Sequence, residues 1–427
     1  MWKYKCKSQV LALLIAFAMG VLLMVLTVGN SSYTEILETM LPVETVRMLE
    51  ANPLLIYLSG GCAIAGLCNV YLLGNIMNTQ FGVSIFFWFL LLMIIPDYVI
   101  MFGIITFPIT LIVSIYGWIS LNMSVRGRLR SRKISSDDEI VRIYTIHHPL
   151  LEEYREMAIS IRKTINKITA VYILGIVAVF CVMFFIDNIF ISIIAIFGYM
   201  MAFQYLSNYR IAQFQPISNL LYQQCNPEAC MSALIFYSKR GDHYKLTNQS
   251  LMASCLIYLD DPDLAQDVLI TFPRSNATSM LTYWSLMAYT YYLLKDENGL
   301  ERCKEEINKI QPRMGAMSVM IKSTEQASVE NKIRLMNRDF QTCKQYYLDL
   351  LKHNPSRLTQ ADCYYYIALI SFVQEDYPIA RMYFEKTIRI GNRLYFVQNA
   401  RNYLSKIEET HPETTDDIPY DRYVPQN

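Results

Sequence analysis

Two hydrophobic rhythms divide this 427-residue chain near residue 207. Before it, apolar residues come in long unbroken runs. After it, they recur every three or four positions among charges, the period of amphipathic helices that pack on one another. The first run, QVLALLIAFAMGVLLMVLTV (9–28), is long enough as a helix to cross a hydrocarbon core of about 30 Å. GNSSYTEILE follows it, not a small-residue cleavage site, so it reads as a retained helix and not a signal peptide. Five more runs follow at 53–74, 81–95, 98–121, 169–186 and 189–203, with turns at Pro96-Asp97 and Asp187-Asn188. The pattern predicts six membrane crossings.

Charge orients them. Lys3, Lys5 and Lys7 precede the first run, which puts the N-terminus in the cytoplasm under the positive-inside rule. The loop 30–52 carries Glu35, Glu38, Glu44 and Glu50 against Arg47 and is expected outside. The loop 122–168 is basic and is expected inside. It opens with RGRLRSRK, where Arg126, Arg128, Arg130, Arg132 and Lys133 read as a topology anchor touching anionic headgroups. Six crossings return the C-terminus to the cytoplasm, in a chain read as belonging to a bacterial cytoplasmic membrane. A nucleic-acid arm would need a wider basic surface or interleaved aromatics, and the formal net charge is only +1.

Within the crossings no set of catalytic side chains is visible. Asp97 and Asp187 sit at predicted outer turns, and the spans hold no His, Lys or Arg. Six-span rhomboid proteases pair a G-x-S-G serine with a histidine on another span. Here Tyr57-Leu58-Ser59-Gly60 lacks the first glycine, and all five histidines lie in polar segments, so Ser59 has no base. The stripe SGGCAIAG (59–66) repeats small residues four apart; Gly61, Ala65 and Gly66 are expected to let helices approach closely, within the chain or across a homo-oligomer. Asn69, Thr106 and Thr110 are the polar groups a transport path would use, or else bonds between helices.

The basic loop predicts two helices. Ser135-Ser136-Asp137-Asp138-Glu139 starts the first, by a serine cap and acids in the first turn. The second runs from Pro149 to Lys167, with Leu151, Met157, Ile161 and Ile165 as an apolar stripe suited to lying on the inner membrane surface. Between them, His147-His148 reads as a helix-entry turn and not a chelating pair. The ten cysteines show neither C-x-x-C spacing nor a disulfide framework, and no metal or cofactor is expected.

Residues 226–409 read as short helices joined by tight polar turns. In 283–312, Trp284, Ala288, Tyr291, Leu300 and Pro312 fall on a large, small, aromatic, small and terminating pattern. In 362–391, Tyr364, Ile367, Ala368, Tyr377, Ala380 and Phe384 repeat it, and 251–273 and 327–355 carry degenerate versions. This pattern resembles the tetratricopeptide repeat family. The resemblance implies stacked helix pairs, with Trp284, Ala288, Tyr291, Tyr364, Ala368, Ala380 and Phe384 in packing roles. It also implies a concave binding face carrying Ser285, Tyr289, Tyr292, Tyr365, Leu369 and Phe372, suited to an apolar or helical protein partner.

The sequence therefore predicts an all-α chain: a polytopic transmembrane helix bundle followed by a tetratricopeptide-like α-solenoid. Its parts are spans 1–4 (1–121), a basic cytoplasmic loop (122–168), a transmembrane hairpin (169–206), a linker (207–225), the repeat domain (226–409) and a polar tail (410–427). The expected function is that of a membrane-anchored scaffold and not an enzyme. The rival reading is a transport- or secretion-associated subunit regulated through its repeats.

Overall fold

The computed structural model describes residues 2–27, 52–81, 95–132, 134, 136–185, 189–311, 316–353 and 355–412. The acidic loop after the first run, most of the third apolar run, the side chain of Asp97, Asp187, Lys133 and the tail beyond 412 lie outside them. The described chain is helical apart from one two-stranded hairpin. It divides into two compact units: residues 1–131, 273–282 and 307–325 in one, and 132–272, 283–306 and 326–427 in the other.

The first unit holds α1 (Trp2–Thr27), α2 (Pro53–Phe81) and α3 (Pro96–Ser131). Each contains a stretch long and apolar enough to cross a membrane. These three are the described helices with that property. They form a bundle in which every pair touches. Lys3 Nζ donates to Ser120 Oγ at 2.9 Å, whereas Phe17 stacks near Phe107, so α1 runs antiparallel to α3. Gly20 meets Gly60 and Phe17 meets Gly61, so α1 is also antiparallel to α2. It follows that α2 and α3 run parallel: Gly66 lies on Ile104, and Asn69 on Gly103 and Thr106.

Small residues make this closeness possible. A Cβ on Gly66 would stand 2.9 Å from the Ile104 backbone nitrogen, and one on Gly61 would enter the Phe17 ring. Ala65 is buried in the apolar cluster of Leu13, Leu72 and Phe107. The stripe is thus filled from within the chain.

In the second unit, α4 (Asp137–His147) follows a turn at Arg132, and a 3-10 turn at Glu152–Tyr154 leads into α5 (Arg155–Phe185). The latter is one helix through both the loop segment and the fifth apolar run. Its buried face is Ala158, Ile161, Ile165 and Ile168, against α7 (Pro227–Ser238). Ile161 and Ile165 therefore bury their stripe on protein and not on a membrane surface, while Leu151 and Met157 stay half-exposed.

Helix α6 (Ile189–Tyr222) is the second correction. The expected linker after residue 206 is helical up to Tyr222, because Ile217, Leu220 and Leu221 supply the i, i+3, i+4 face that α7 covers. Antiparallel packing of α5 and α6 brings Tyr172 beside Phe203 and Gly175 beside Tyr199.

Then come α8 (Gln249–Ile257), α9 (Pro262–Ile270), α10 (Ala277–Leu293), α11 (Glu297–Lys309), α12 (Ala316–Met336), α13 (Phe340–Leu351), α14 (Arg357–Val373), α15 (Tyr377–Gly391) and α16 (Tyr395–Thr410). One turn design recurs. Cys225, Asp260, Lys295, Arg338 and Glu375 adopt φ between 53° and 63°, each directly followed by Asn or Asp. In four of the five turns the next residue's N–H bonds the carbonyl five residues back, as in Asp261 to Leu256 and Asp296 to Tyr291, both at 2.9 Å. Its side chain then caps the next helix: Asn226 accepts from Ala229, Asp261 from Leu264, Asp296 from Gly299 and Asp339 from Thr342. Four residues past each cap sits a buried Cys230, Ala265, Leu300, Cys343 or Ala380. So α6–α7, α8–α9, α10–α11, α12–α13 and α14–α15 are helical hairpins of one kind.

Candidate partner-binding site

The second unit closes on itself. Asn392 Nδ2 donates to the Gln224 carbonyl at 2.8 Å, Arg393 N–H to the Cys225 carbonyl at 3.2 Å, and Arg393 pairs with Glu228 at 2.6 Å. Thus the turn after the last hairpin meets the turn of the first. Tyr395 N–H likewise bonds the Tyr258 carbonyl at 3.1 Å. An open repeat array contacts only sequential neighbours; closure turns the expected concave face into an interior.

Tyrosines fill that interior. Tyr258 stands edge-on to Tyr289 and Phe396, and Tyr347 stacks on Tyr366 with ring centroids 5.2 Å apart. Tyr289, expected on an accessible face, is buried; its hydroxyl donates to Asp362 Oδ1 at 2.5 Å. A Tyr258 hydroxyl also reaches Asp362, and the Lys332 ammonium lies 4.4 Å over the Tyr289 ring. Asp362 keeps some exposed surface, yet its carboxylate is enclosed. Burial pushes it up to about 6, against the opposing pull of Lys332, Tyr289 and Tyr258. The same burial keeps the phenols of Tyr258, Tyr289, Tyr347 and Tyr366 protonated far above their usual range.

Beside this interior an open pocket of about 520 Å³ remains. Tyr292, Tyr365, Tyr366 and Tyr395 form its aromatic wall, and Leu335, Met336 and Leu369 its apolar floor. Lys295 and Arg338 line it from the turns of two successive hairpins, with Glu297 beside them. Its size suits a small ligand or a few side chains of a peptide.

Of the six face residues predicted from sequence, Tyr292, Tyr365 and Leu369 come together here. Phe372 packs instead on Phe384 and Tyr403, and Ser285 is half-buried away from the pocket. Trp284, Ala288, Ala368, Ala380 and Phe384 are buried in the hairpins. Tyr291 lies on Gly299, and Tyr364 packs on Tyr383 under Lys386. Tyr395 was missed by sequence because it follows the last recognisable repeat. Lys295 and Arg338 were missed because nothing in single-residue type marks a left-handed turn; the signal was the Asp after each.

Two other expected sites change meaning. Arg132 bridges Asp267 at 2.6 Å and Asp263 at 3.3 Å, so this guanidinium is occupied by protein and not by headgroups. Arg126 and Arg130 are exposed on the last turns of α3, and Arg128 is half-buried. Asn69 Nδ2 donates to the Gly103 carbonyl at 3.0 Å and to Thr106 Oγ1 at 2.9 Å, and Thr110 Oγ1 to the Thr106 carbonyl, so these groups tie α2 to α3 and bond along α3. His148 stacks on Tyr144 with ring centroids 5.0 Å apart. No protein-family model, curated protein or solved structure matches this chain.

Proposed function

We propose that the chain is a membrane-anchored scaffold that recruits a protein partner through its ring of helical hairpins, a closed variant of a tetratricopeptide-like array. The observation that carries this reading is the tyrosine-walled pocket at Tyr292, Tyr365, Leu369 and Tyr395. It is lined by residues of successive hairpins, which suits an extended or helical segment more than a single metabolite.

The anchoring half of the reading has its own support. The three helices with membrane-crossing stretches belong to one bundle. The lysines that start α1 and the arginines that end α3 lie at the same end of it, since Lys3 bonds Ser120 and Lys7 sits over Trp118. Both basic clusters then face one compartment, the cytoplasm under the positive-inside rule. The parallel direction of α2 and α3 agrees with the third crossing expected from the sequence between them. The fifth and sixth crossings rest on the apolar runs 169–186 and 189–203 in the sequence of the antiparallel pair α5–α6, neither of which is among the three helices with a membrane-crossing stretch.

The test uses the full chain in its own membrane. A photo-crosslinking residue at Leu369 is expected to capture a discrete partner, and Tyr292→Glu in the same chain is expected to abolish that capture. Capture equal to that from a crosslinker at the exposed Lys352, outside the pocket, would defeat the reading.

A further inference from the structure

We propose that the hairpin of residues 239–245 is a docking surface for anionic lipid headgroups, acting together with Lys163, Lys167 and Arg210. It rests on the reading that α5 and α6 cross the membrane.

The strands Lys239–Arg240 and His243–Tyr244 project from the end of α7, with Gly241 at the tip in the left-handed region at φ 62°. Lys239, Arg240 and Lys245 are exposed. The hairpin is held in place mainly through its backbone; of those side chains, Arg240 also donates to the Tyr237 carbonyl at 3.5 Å and Lys245 lies close to Asp137. Asp138 Oδ1 accepts from Tyr244 N–H at 2.6 Å, and Asp137 Oδ2 from Leu246 N–H at 2.9 Å. On its other side the Arg162 guanidinium donates to the Lys239 carbonyl.

Arg162 gives the hairpin its level. It lies seven residues before Thr169, where the apolar run of α5 begins, which is about 10 Å along a helix axis. Lys163 and Lys167 are exposed on the same helix within that distance. On α6, antiparallel with Tyr172 beside Phe203, Arg210 stands level with residue 165 and is exposed. Six exposed cations therefore gather where a bilayer surface would begin. Lys245 faces the Asp137 carboxylate, and the other five form no salt bridge among the described residues. The nearby acids are Asp242 at the tip and Asp137 and Asp138, whose oxygens are taken by hairpin N–H groups and His243. Each Lys or Arg close to an anionic leaflet strengthens binding about fivefold.

Hydrogen exchange of the full-length protein in nanodiscs tests this, with phosphatidylcholine alone against phosphatidylcholine mixed with phosphatidylserine. The expected result is several-fold slower exchange of residues 239–245 in the anionic discs. The difference should vanish in a K239E/R240E/K245E variant and at high salt. Residues 170–203 serve as the internal reference and should be protected in both lipids. If they are protected and the hairpin exchanges alike in both, the lipid site is overturned and the crossings stand. If residues 170–203 exchange freely, the membrane reading falls and takes this inference with it. Slowing in neutral discs on addition of an RNA oligomer, with none from phosphatidylserine, would overturn the lipid assignment in favour of nucleic acid.

Discussion

Asp362 is the residue where the ring's interior is most exposed to pH. Its carboxyl is raised from 3.8 to about 6 by burial, despite the hydrogen bonds from Tyr289 and Tyr258 and the nearby Lys332. Between pH 4 and pH 6 the folded chain therefore holds a proton that the unfolded chain has released. Stability is greatest below that window and falls as pH rises through it, leaving a cost of about 3 kcal/mol at neutral pH. Asp362→Asn keeps an acceptor for the tyrosines and removes the charge. Thermal melts of the full-length protein in detergent should show wild type losing stability from pH 4 to 6.5 and the Asn variant losing less. Equal slopes in the two proteins would mean that Asp362 is not the group responsible.

At the scale of elements, the hairpin turns set the architecture. Each combines a residue forced to positive φ with a following Asp or Asn, which in four of the five caps the next helix through its side chain, and the capping bond is worth about 1 kcal/mol. Asp296 Oδ1 accepts from Gly299 N–H at 3.0 Å. Asp296→Ala should lower stability by about that amount and Asp296→Asn by much less, read from chemical denaturation of the intact chain; a loss equal in both would point to the charge and not the cap. These turns also explain what was legible in the sequence. Helix pairs were readable because Ala288, Ala368 and Ala380 keep the spacing of buried small positions. Cys230 and Cys343 do the same job and are harder to see, since a cysteine fits core and surface patterns alike. The extent of α5 and α6 was not readable, because hydropathy changes along each helix where its surroundings change while the backbone does not. Ring closure was not readable either. It depends on Arg393 meeting Glu228, 165 residues away, and no local periodicity encodes such a contact.

At the scale of the molecule, and on the membrane reading proposed above, the direction of the helices decides how many times the chain crosses. Consecutive crossings must be antiparallel, and α1 with α2 obeys this. Helices α2 and α3 do not: contacts climb together from Gly66 on Gly103 and Ile104 to Asn69 on Thr106. Asn69, level with Gly103, stands 12 residues before Phe81, and Gly103 stands seven after Pro96. At 1.5 Å per residue the two ends are about 28 Å apart along the bundle, close to the thickness of a hydrocarbon core. A chain that leaves α2 on one side must begin α3 on the other. A topology reporter fused after Phe81 and one fused after Ser131 should therefore both be active in the cytoplasm, while fusions after residues 51 and 95 should report the opposite side. If the fusions after Phe81 and Ser131 report opposite sides, α2 and α3 are successive crossings, their parallel packing is wrong, and the C-terminal ring loses its assignment to the cytoplasm.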